Sequence, residues 1–452
     1  MAVSVEELSA VPEASKRRSS LGLLAAQDAM RLPDLIPVRY HRMSATPFTF
    51  YRGAAAVMAS DLSLTPTTGI ITQLCGDAHL SNFGLFRSPE RTMVFDLNDF
   101  DETHPGPFEW DVKRLAASVM VSALQNGSDE KEARRAAKHA ARAYREGMIA
   151  SASETAMKCW YTRVDADDVM VDLGNRFDVS VSERTQKALA KARHRDSAQA
   201  LSKLAYVDAD GPHIKSDPPL LMPASEIVTT LSRDELDAEF LEGFDRYRRT
   251  LPAHVAELFS QYRFVEAARK VVGVGSVGTR CWVSLFDGAM GISDPLILQL
   301  KEASQSVLAP YVRGYHYEHQ GNRVVFGQQL LQASSDIMLG WVQTMVFVGG
   351  RSADFYVRQL RDGKGSVVVE ALEPKGMRYY ARLCGTVMAQ AHARTPARLE
   401  IAEYLSDAGK RFDSAIADFS VEYSRVNVAD HAGLIGAISD GSVDAVSLGP
   451  DA

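Results

Sequence analysis

The chain has 452 residues, 46% of them hydrophobic and 24% charged, a globular balance with enough apolar surface for a sizeable core. This length exceeds the usual single domain, so we expect two lobes or domains. The formal net charge of −7 argues against non-specific nucleic-acid binding, which needs a basic surface. Scattered cysteines and the lack of a long apolar run predict a cytoplasmic protein without a zinc site, disulfide or membrane span.

The first part of the chain combines two short strands with a long series of helices. Over residues 1–45 we expect a polar, mobile start followed by one or two helices. Buried apolar runs predict the strands, and apolar residues at helical spacing predict the helices. The predicted strands cover 70–74 and 92–95, and the predicted helices cover 107–125, 129–150, a stretch to about 205, and 232–269, with a loop at 217–223.

The pattern changes after Val271 to that of a small antiparallel sheet. A turn at Asp287-Gly288 separates two apolar runs, as in a β-hairpin. The predicted strands cover 271–272, 281–286, 296–300 and 355–360, with a helix near 327–345. Residues 375–425 read as helical, and we expect the last 25 or so residues to be poorly anchored.

The densest chemistry lies at 75–102, where two polar runs each follow a predicted strand. They are Cys75-Gly-Asp77-Ala-His79-Leu-Ser-Asn82 and Val94-Phe-Asp96-Leu-Asn-Asp99-Phe-Asp101-Glu102. In phosphoryl transfer one carboxylate orients the acceptor hydroxyl, while an Asn oxygen and a second carboxylate hold Mg²⁺ against the phosphates. The alternative is that these Asp and Asn side chains serve only turns and helix caps.

The first run resembles the loop of the aminoglycoside and choline phosphotransferases, a branch of the kinase-like superfamily. Those enzymes carry H-G-D-x-H-x-x-N, and here Cys75 replaces the first His. The resemblance implies that Asp77 is the catalytic base and that Asn82 and Asp96 hold the metal. Asp99 is a further candidate metal ligand. By the same resemblance, Asp111 at the start of the next helix would support the loop.

A glycine motif far along the chain predicts a phosphate-binding loop. It reads Val271-Val-Gly273-Val-Gly275-Ser276-Val-Gly278-Thr, and its glycines let the backbone approach phosphates closely. A strand follows it, which is typical of a kinase glycine loop and not of a Rossmann motif. The strand at 296–300 ends on Lys301, as in V-A-I-K, so we expect Lys301 to contact ATP phosphates. Arg52 is either a further phosphate contact or a structural arginine.

In ordinary kinases the glycine loop precedes the catalytic loop, whereas here it follows. A circularly permuted, two-lobed, kinase-like α+β fold explains this order, with a small antiparallel β lobe and a large helical lobe. The helix at 377–394 would then lead into the catalytic loop. The glutamate that usually pairs with the lysine has no clear counterpart. The expected parts are an N-terminal segment (1–45), the catalytic-loop and helical lobe (46–260), the glycine-loop β lobe (261–365) and C-terminal helices (366–452).

From about 35 to 425 the chain also resembles the bacterial family DUF2252. The phrases that carry this resemblance are Phe50–Gly53, Gly76–Gly84, Asn98–Thr103 and Lys270–Thr279.

We therefore expect a Mg²⁺- and ATP-dependent phosphotransferase that acts on a hydroxyl of a small-molecule acceptor, with the insert at 128–260 as the acceptor-side wall. Two alternatives stay open: nucleotidyl (AMP) transfer on the same fold, and a non-catalytic, nucleotide-binding pseudokinase. A metal-dependent hydrolase that uses 96–102 with His79 would leave 271–301 unexplained.

Overall fold

The computed structural model describes residues 3–176, 190, 197–209, 211–271, 273, 275–344, 352–360 and 363–447. Within these residues the protein is a mixed α+β structure whose strands pair antiparallel, which confirms the predicted fold class at that level. No helix in the described part of the chain is both long and apolar enough to cross a membrane.

Seven short strands form three small sheets around the helices. β1 pairs with β4, β3 lies between β2 and β5, and β6 pairs with β7. Their bounds are β1 (Ile71–Leu74), β2 (Phe83–Arg87), β3 (Met93–Leu97), β4 (His104–Pro107), β5 (Val164–Asp165), β6 (Ala205–Asp208) and β7 (Gly211–Ile214).

A six-stranded antiparallel sheet dominates the second half of the chain. Its strands are β8 (Leu221–Pro223), β9 (Arg263–Lys270), β10 (Cys281–Gly288), β11 (Gly291–Glu302), β12 (Gly340–Thr344) and β13 (Ala353–Gln359), in the spatial order β12-β13-β11-β10-β9-β8. Side chains alternate between the two faces of β10. Trp282 and Phe286 enter one apolar core, and Val283 and Leu285 enter another. The sheet is therefore covered on both faces.

Helices make up most of the remaining structure. The first eight are α1 (Ser20–Asp28), α2 (Ile36–Ser44), α3 (Pro47–Gly53), α4 (Ala55–Leu62), α5 (Phe108–Gln125), α6 (Glu130–Ala152), α7 (Ala156–Tyr161) and α8 (Ala166–Arg176). They are followed by α9 (Ser197–Leu204), α10 (Ala224–Ile227), α11 (Arg233–Arg248), α12 (Ala253–Phe259), α13 (Gln320–Leu331), α14 (Pro374–Ala393), α15 (Arg398–Ala408) and α16 (Lys410–Ser439). The side chains of α5 are buried along most of its length, in a core shared with α6, α14 and α16.

Several predicted elements differ from the structure. Residues 221–223 of the predicted loop form β8, and Val271, predicted to lie in a strand, comes after the end of β9. The helix expected over 232–269 ends at Phe259, and 263–270 is strand β9, because pairing with β10 overrides the helical propensity of this stretch. The helix expected near 327–345 is α13 followed by β12. The C-terminal stretch is anchored, since α16 continues to Ser439 and buries Leu434.

The N-terminal segment is bonded to the rest of the molecule, although its polar sequence suggested mobility. Arg17 forms ion pairs with Asp61 and Asp430, at 2.8 and 2.6 Å. The amide of Leu32 donates to the carbonyl of Gly278 at 2.7 Å. Residues 17–45, which we call the N-terminal strap, therefore lie between the glycine loop and the helical part of the protein.

Candidate functional site

The loop between β1 and β2 is held by the first turn of α5. The amides of Cys75 and Gly76 donate to the two carboxylate oxygens of Asp111, at 2.8 and 3.1 Å. His392 of α14 lies 3.3 Å from the same carboxylate. Asp111 thus has the supporting position that the sequence implied, and it fixes the loop that carries Asp77.

One carboxylate oxygen of Asp77 forms an ion pair with a buried arginine. Its Oδ1 accepts from Nε and Nη2 of Arg114, at 2.9 and 2.7 Å, and the ring of His79 lies 3.7 Å from Oδ2. Burial raises the pKa of Asp77, while Arg114 opposes that rise. The side chain of Asn82 donates to the backbone carbonyl of Asp77 at 2.7 Å, which leaves its own carbonyl oxygen as a ligand. Burial, Arg52 and Arg114 hold the pKa of His79 well below its usual value, so this imidazole is neutral.

Lys301 has a partner that the sequence did not indicate. Its ammonium lies 2.5 Å from Oδ2 of Asp101 and 3.8 Å from Asp99. Tyr356 of β13 donates to the other oxygen of Asp101 at 2.6 Å. Burial would raise the pKa of Asp101, but Lys301 and Tyr356 outweigh it and hold that pKa below its ordinary value. The buried lysine therefore fixes Asp101, two residues after Asp99.

Asp96 lies away from this group. It is 5% exposed in β3, and its carboxylate accepts from the amides of Leu97 and Ala333, at 2.8 and 3.0 Å. Burial raises its pKa. The two bonds join the end of β3 to the residues after α13, which is a structural position and not the metal-facing one implied by the family resemblance. The carboxylates that line the cavity from this loop are those of Asp99, Asp101 and Glu102.

The glycine motif forms the turn between β9 and β10, as predicted, although Val272 and Val274 lie outside the described residues. Gly278 has φ +89°, which favours glycine, and a Cβ there would lie 3.0 Å from Cβ of Arg31. The side chain of Arg31 donates to the carbonyl of Val277, and that of Arg42 donates to Gly273 at 2.6 Å. The N-terminal strap thus packs directly on the loop.

These parts surround one cavity of about 580 Å³, a volume typical of ligand sites. Lining residues predicted from sequence are Asp77, Asn82, Asp99, Arg52, Gly273, Gly275 and Ser276. Asp96, Lys301 and Gly278 do not line it. Lys301 is buried and contacts the lining residues Asp101 and Asp99, so its contact with phosphates stays a prediction. No described residue of 128–260 lines this cavity, whereas several residues of the strap do.

The lining suits a magnesium–nucleotide complex. Mg²⁺ prefers oxygen ligands and commonly takes one or two carboxylates together with substrate phosphates. Asn82 and Asp99 offer such oxygens. Within the described residues no three His, Cys, Asp or Glu side chains form a metal cluster, so the remaining ligands would come from phosphate and water. Arg52 has a buried Nε without a hydrogen-bond partner, as expected for a side chain that awaits an anion.

Several contributors to this site were not identified from sequence. They are Arg114, Asp101, Tyr356 and the strap residues. A signal existed for Asp101, because Asp99-Phe-Asp101 follows a strand in an acidic run. Nothing local marks Arg114 or Arg31, since each acts on residues distant in the chain.

Comparison with known proteins gives one match. The model of a family described as "Uncharacterized protein conserved in bacteria (DUF2252)" matches residues 31–437, a range that includes the loop of Asp77 and the glycine loop. No curated protein and no solved structure matches the chain. The motifs at 50–53, 76–84, 98–103 and 270–279 had indicated the same family. With most of its length matched, the chain belongs to the DUF2252 family.

Proposed function

We propose that this protein is a Mg²⁺- and ATP-dependent phosphotransferase that acts on a hydroxyl group of a small-molecule acceptor. The observation that carries the proposal is the meeting of two distant motifs at one cavity. Asp77 and Asn82 lie on one side of it, and Gly273, Gly275 and Ser276 of the glycine loop lie on another. Carboxylates, an amide oxygen and glycine backbone amides are the set that phosphoryl transfer requires.

The permuted kinase-like fold belongs to this proposal. The order β9, glycine loop, β10, β11 with Lys301, α13, β12 and β13 is the order of a kinase β lobe. α14 then runs to Ala393, and its His392 contacts Asp111 beneath the catalytic loop. A circular permutation with its break just before β1 accounts both for the order of these strands and for the position of α14.

Each residue has a chemical role in this scheme. With Oδ1 held by Arg114, Asp77 keeps Oδ2 to accept the proton of the acceptor hydroxyl. The hydroxyl oxygen bonds to the terminal phosphorus of ATP as the bond from that phosphorus to the β–γ bridging oxygen breaks, and ADP leaves. Asn82 and Asp99 would hold Mg²⁺, which supplies positive charge against the phosphate oxygens. Arg52 adds a cation beside the same oxygens. Lys301 keeps Asp101 in place behind Asp99.

The first test is nucleotide binding, with substitutions that separate the roles. Mg²⁺ with ATP should raise the melting temperature more than either alone. Asp77→Asn should keep that shift and lose turnover by at least about 100-fold, the usual contribution of a general base. Asp99→Asn should lose the Mg²⁺-dependent part of the shift. Asp96→Asn is the matched control and should keep the Mg²⁺-dependent part of the shift in melting temperature.

The result that contradicts the proposal is the absence of any nucleotide-dependent shift. If Asp96→Asn and not Asp99→Asn removes the metal dependence, the metal lies where the resemblance implied. ADP among the products means phosphoryl transfer, whereas pyrophosphate means the nucleotidyl transfer that the sequence left open.

One contact favours a second candidate, a nucleotide-binding protein without catalysis. The ion pair of Arg114 with Oδ1 of Asp77 stabilises the carboxylate and makes it a weaker base than the same buried carboxylate would be without the arginine. In that case Mg²⁺ and ATP still stabilise the protein, but no product forms and Asp77→Asn changes nothing.

A further inference from the structure

The lining of the cavity has two chemically different parts, and the N-terminal strap contributes to one of them. The glycine loop and the carboxylates at 77 and 99–102 are polar. The other part of the lining comes from the N-terminal strap and the segment after β11, where apolar side chains lie among the polar Arg18, Gln27, Arg31 and 304–306. Its apolar members include Leu23, Ala26, Met30, Val307, Pro310 and Tyr311.

This apolar lining is accessible to a ligand. Met30 is 50% exposed, and Tyr311 is half-buried at the edge of the main core, with the guanidinium of Arg18 6.0 Å from its ring centre. Gln27 also lines the cavity, and its Oε1 accepts from Arg39 at 3.0 Å. That bond leaves the NH₂ of Gln27 as a donor toward an acceptor nitrogen.

A nucleoside triphosphate has a matching division, since its phosphates need cations and backbone amides while its base needs an aromatic face, apolar neighbours and a few hydrogen bonds. We infer that the purine base of the nucleotide binds between α1 and Tyr311, with the triphosphate on the glycine loop. The inference rests on the proposed function and adds that the N-terminal strap is part of the nucleotide site.

The strap is held in a position that suits this role. Its hydrogen bonds to the glycine loop, from Leu32 to Gly278 and from Arg42 to Gly273, tie the base-binding wall to the phosphate-binding loop. Arg39 is fully buried and pairs with Asp28 at the end of α1, at 2.8 Å. The wall is therefore rigid enough to select a planar ligand.

The test compares Mg·ATP with Mg·tripolyphosphate, which has the phosphates and no base. By calorimetry, wild-type protein should bind Mg·ATP more tightly. Tyr311→Ala should weaken Mg·ATP about tenfold through loss of base stacking and leave tripolyphosphate within about twofold. Met30→Ala, at a half-exposed position that costs the core little, should act in the same direction. The matched control is Tyr315→Ala, in the same segment but outside the cavity lining.

The outcomes separate this inference from the proposed function. Wild-type protein that binds neither ligand overturns both. Equal affinity for the two ligands leaves a phosphate site and overturns the base site. If Tyr311→Ala weakens both ligands equally, or leaves Mg·ATP unchanged, Tyr311 only shapes the cavity or faces the acceptor, and the inference is wrong.

Discussion

At the scale of single residues, Glu102 shows how burial sets the chemistry of this cavity. Its carboxylate accepts from the amide of Val307 at 2.7 Å, and Ser306 donates to its backbone carbonyl at 2.8 Å. Burial raises the pKa of Glu102 from 4.5 to about 7, against the opposing effect of the Val307 amide. The glutamate is therefore largely protonated at mildly acid pH in the folded protein.

This pKa predicts a pH dependence of stability. Between pH 4.5 and 7 folded Glu102 keeps a proton that the unfolded chain has released, so the unfolded state binds fewer protons. The free energy of unfolding should then fall by about 2–3 kcal/mol as pH rises through that window. Urea unfolding of wild type and Glu102→Gln between pH 5 and 8 measures the difference. Parallel curves for the two proteins would show that Glu102 does not titrate there.

The sequence indicated some of the residues that line the cavity and missed others. Asp77, Asn82 and Asp99 were predictable because they lie in short motifs with fixed spacing. The choice between Asp96 and Asp99 was not, because the strand that carries Asp96 buries its side chain against the residues after α13, about which the local sequence says nothing. The ion pair of Lys301 with Asp101 likewise depends on a tertiary contact.

At the scale of elements, the catalytic loop depends on a close approach to the loop after β3. Gly76 has φ +85°, and a Cβ there would lie 2.1 Å from the carbonyl oxygen of Glu102. Neither backbone can move easily, because Asp111 holds one and Ser306 holds the other. The glycine is required for both its conformation and its lack of a side chain.

Gly76→Ala should therefore destabilise the protein by about 3 kcal/mol or more, the sum of left-handed strain and a backbone clash. Gly127→Ala is the matched control, since Gly127 has φ +88° with nothing within 4 Å of its Cβ position. Backbone strain should lower the free energy of unfolding of that variant by only about 1–2 kcal/mol. If denaturant unfolding shows the same loss of stability for Gly76→Ala and Gly127→Ala, the clash with Glu102 costs nothing and the prediction is wrong.

The elements themselves were unequally predictable. α5 and α6 were identified nearly to the residue, because their periodicity is long and Asn126-Gly127 separates them. Strand β9 was missed, since Glu266-Ala-Ala-Arg-Lys270 has helical propensity and becomes a strand only beside β10. The helices within residues 1–45 were expected, but the anchoring of this segment was not, because its arginines bond to residues distant in the chain.

At the scale of the whole molecule, the start and end of the described chain are joined. Arg17 bridges Asp61 of α4 and Asp430 of α16, and Tyr423 also donates to Asp61 at 2.9 Å. Farther along the strap, the carbonyl of Ser44 lies 2.9 Å from His431. The C-terminal helix therefore positions the strap that walls the cavity.

Asp430→Ala should loosen the strap while the helical core stays folded. We expect a loss of about 1 kcal/mol in unfolding free energy, appropriate to a partly buried ion pair, and faster tryptic cleavage within residues 16–31. Glu422→Ala, which removes an exposed pair with Arg425 on the same helix, is the control. If both variants are cleaved at the wild-type rate, the pair of Arg17 with Asp430 is not what holds the strap.

The ion pair between Arg17 and Asp430 also has a consequence for folding during synthesis. A ribosome delivers residue 17 long before residue 430, and N-terminal parts generally fold first during synthesis. The strap cannot reach its final position until nearly the entire polypeptide has emerged. A prematurely terminated chain would carry the Asp77 loop and the glycine loop without Asp430, so the ion pair that holds Arg17 to the C-terminal helix forms only late in synthesis.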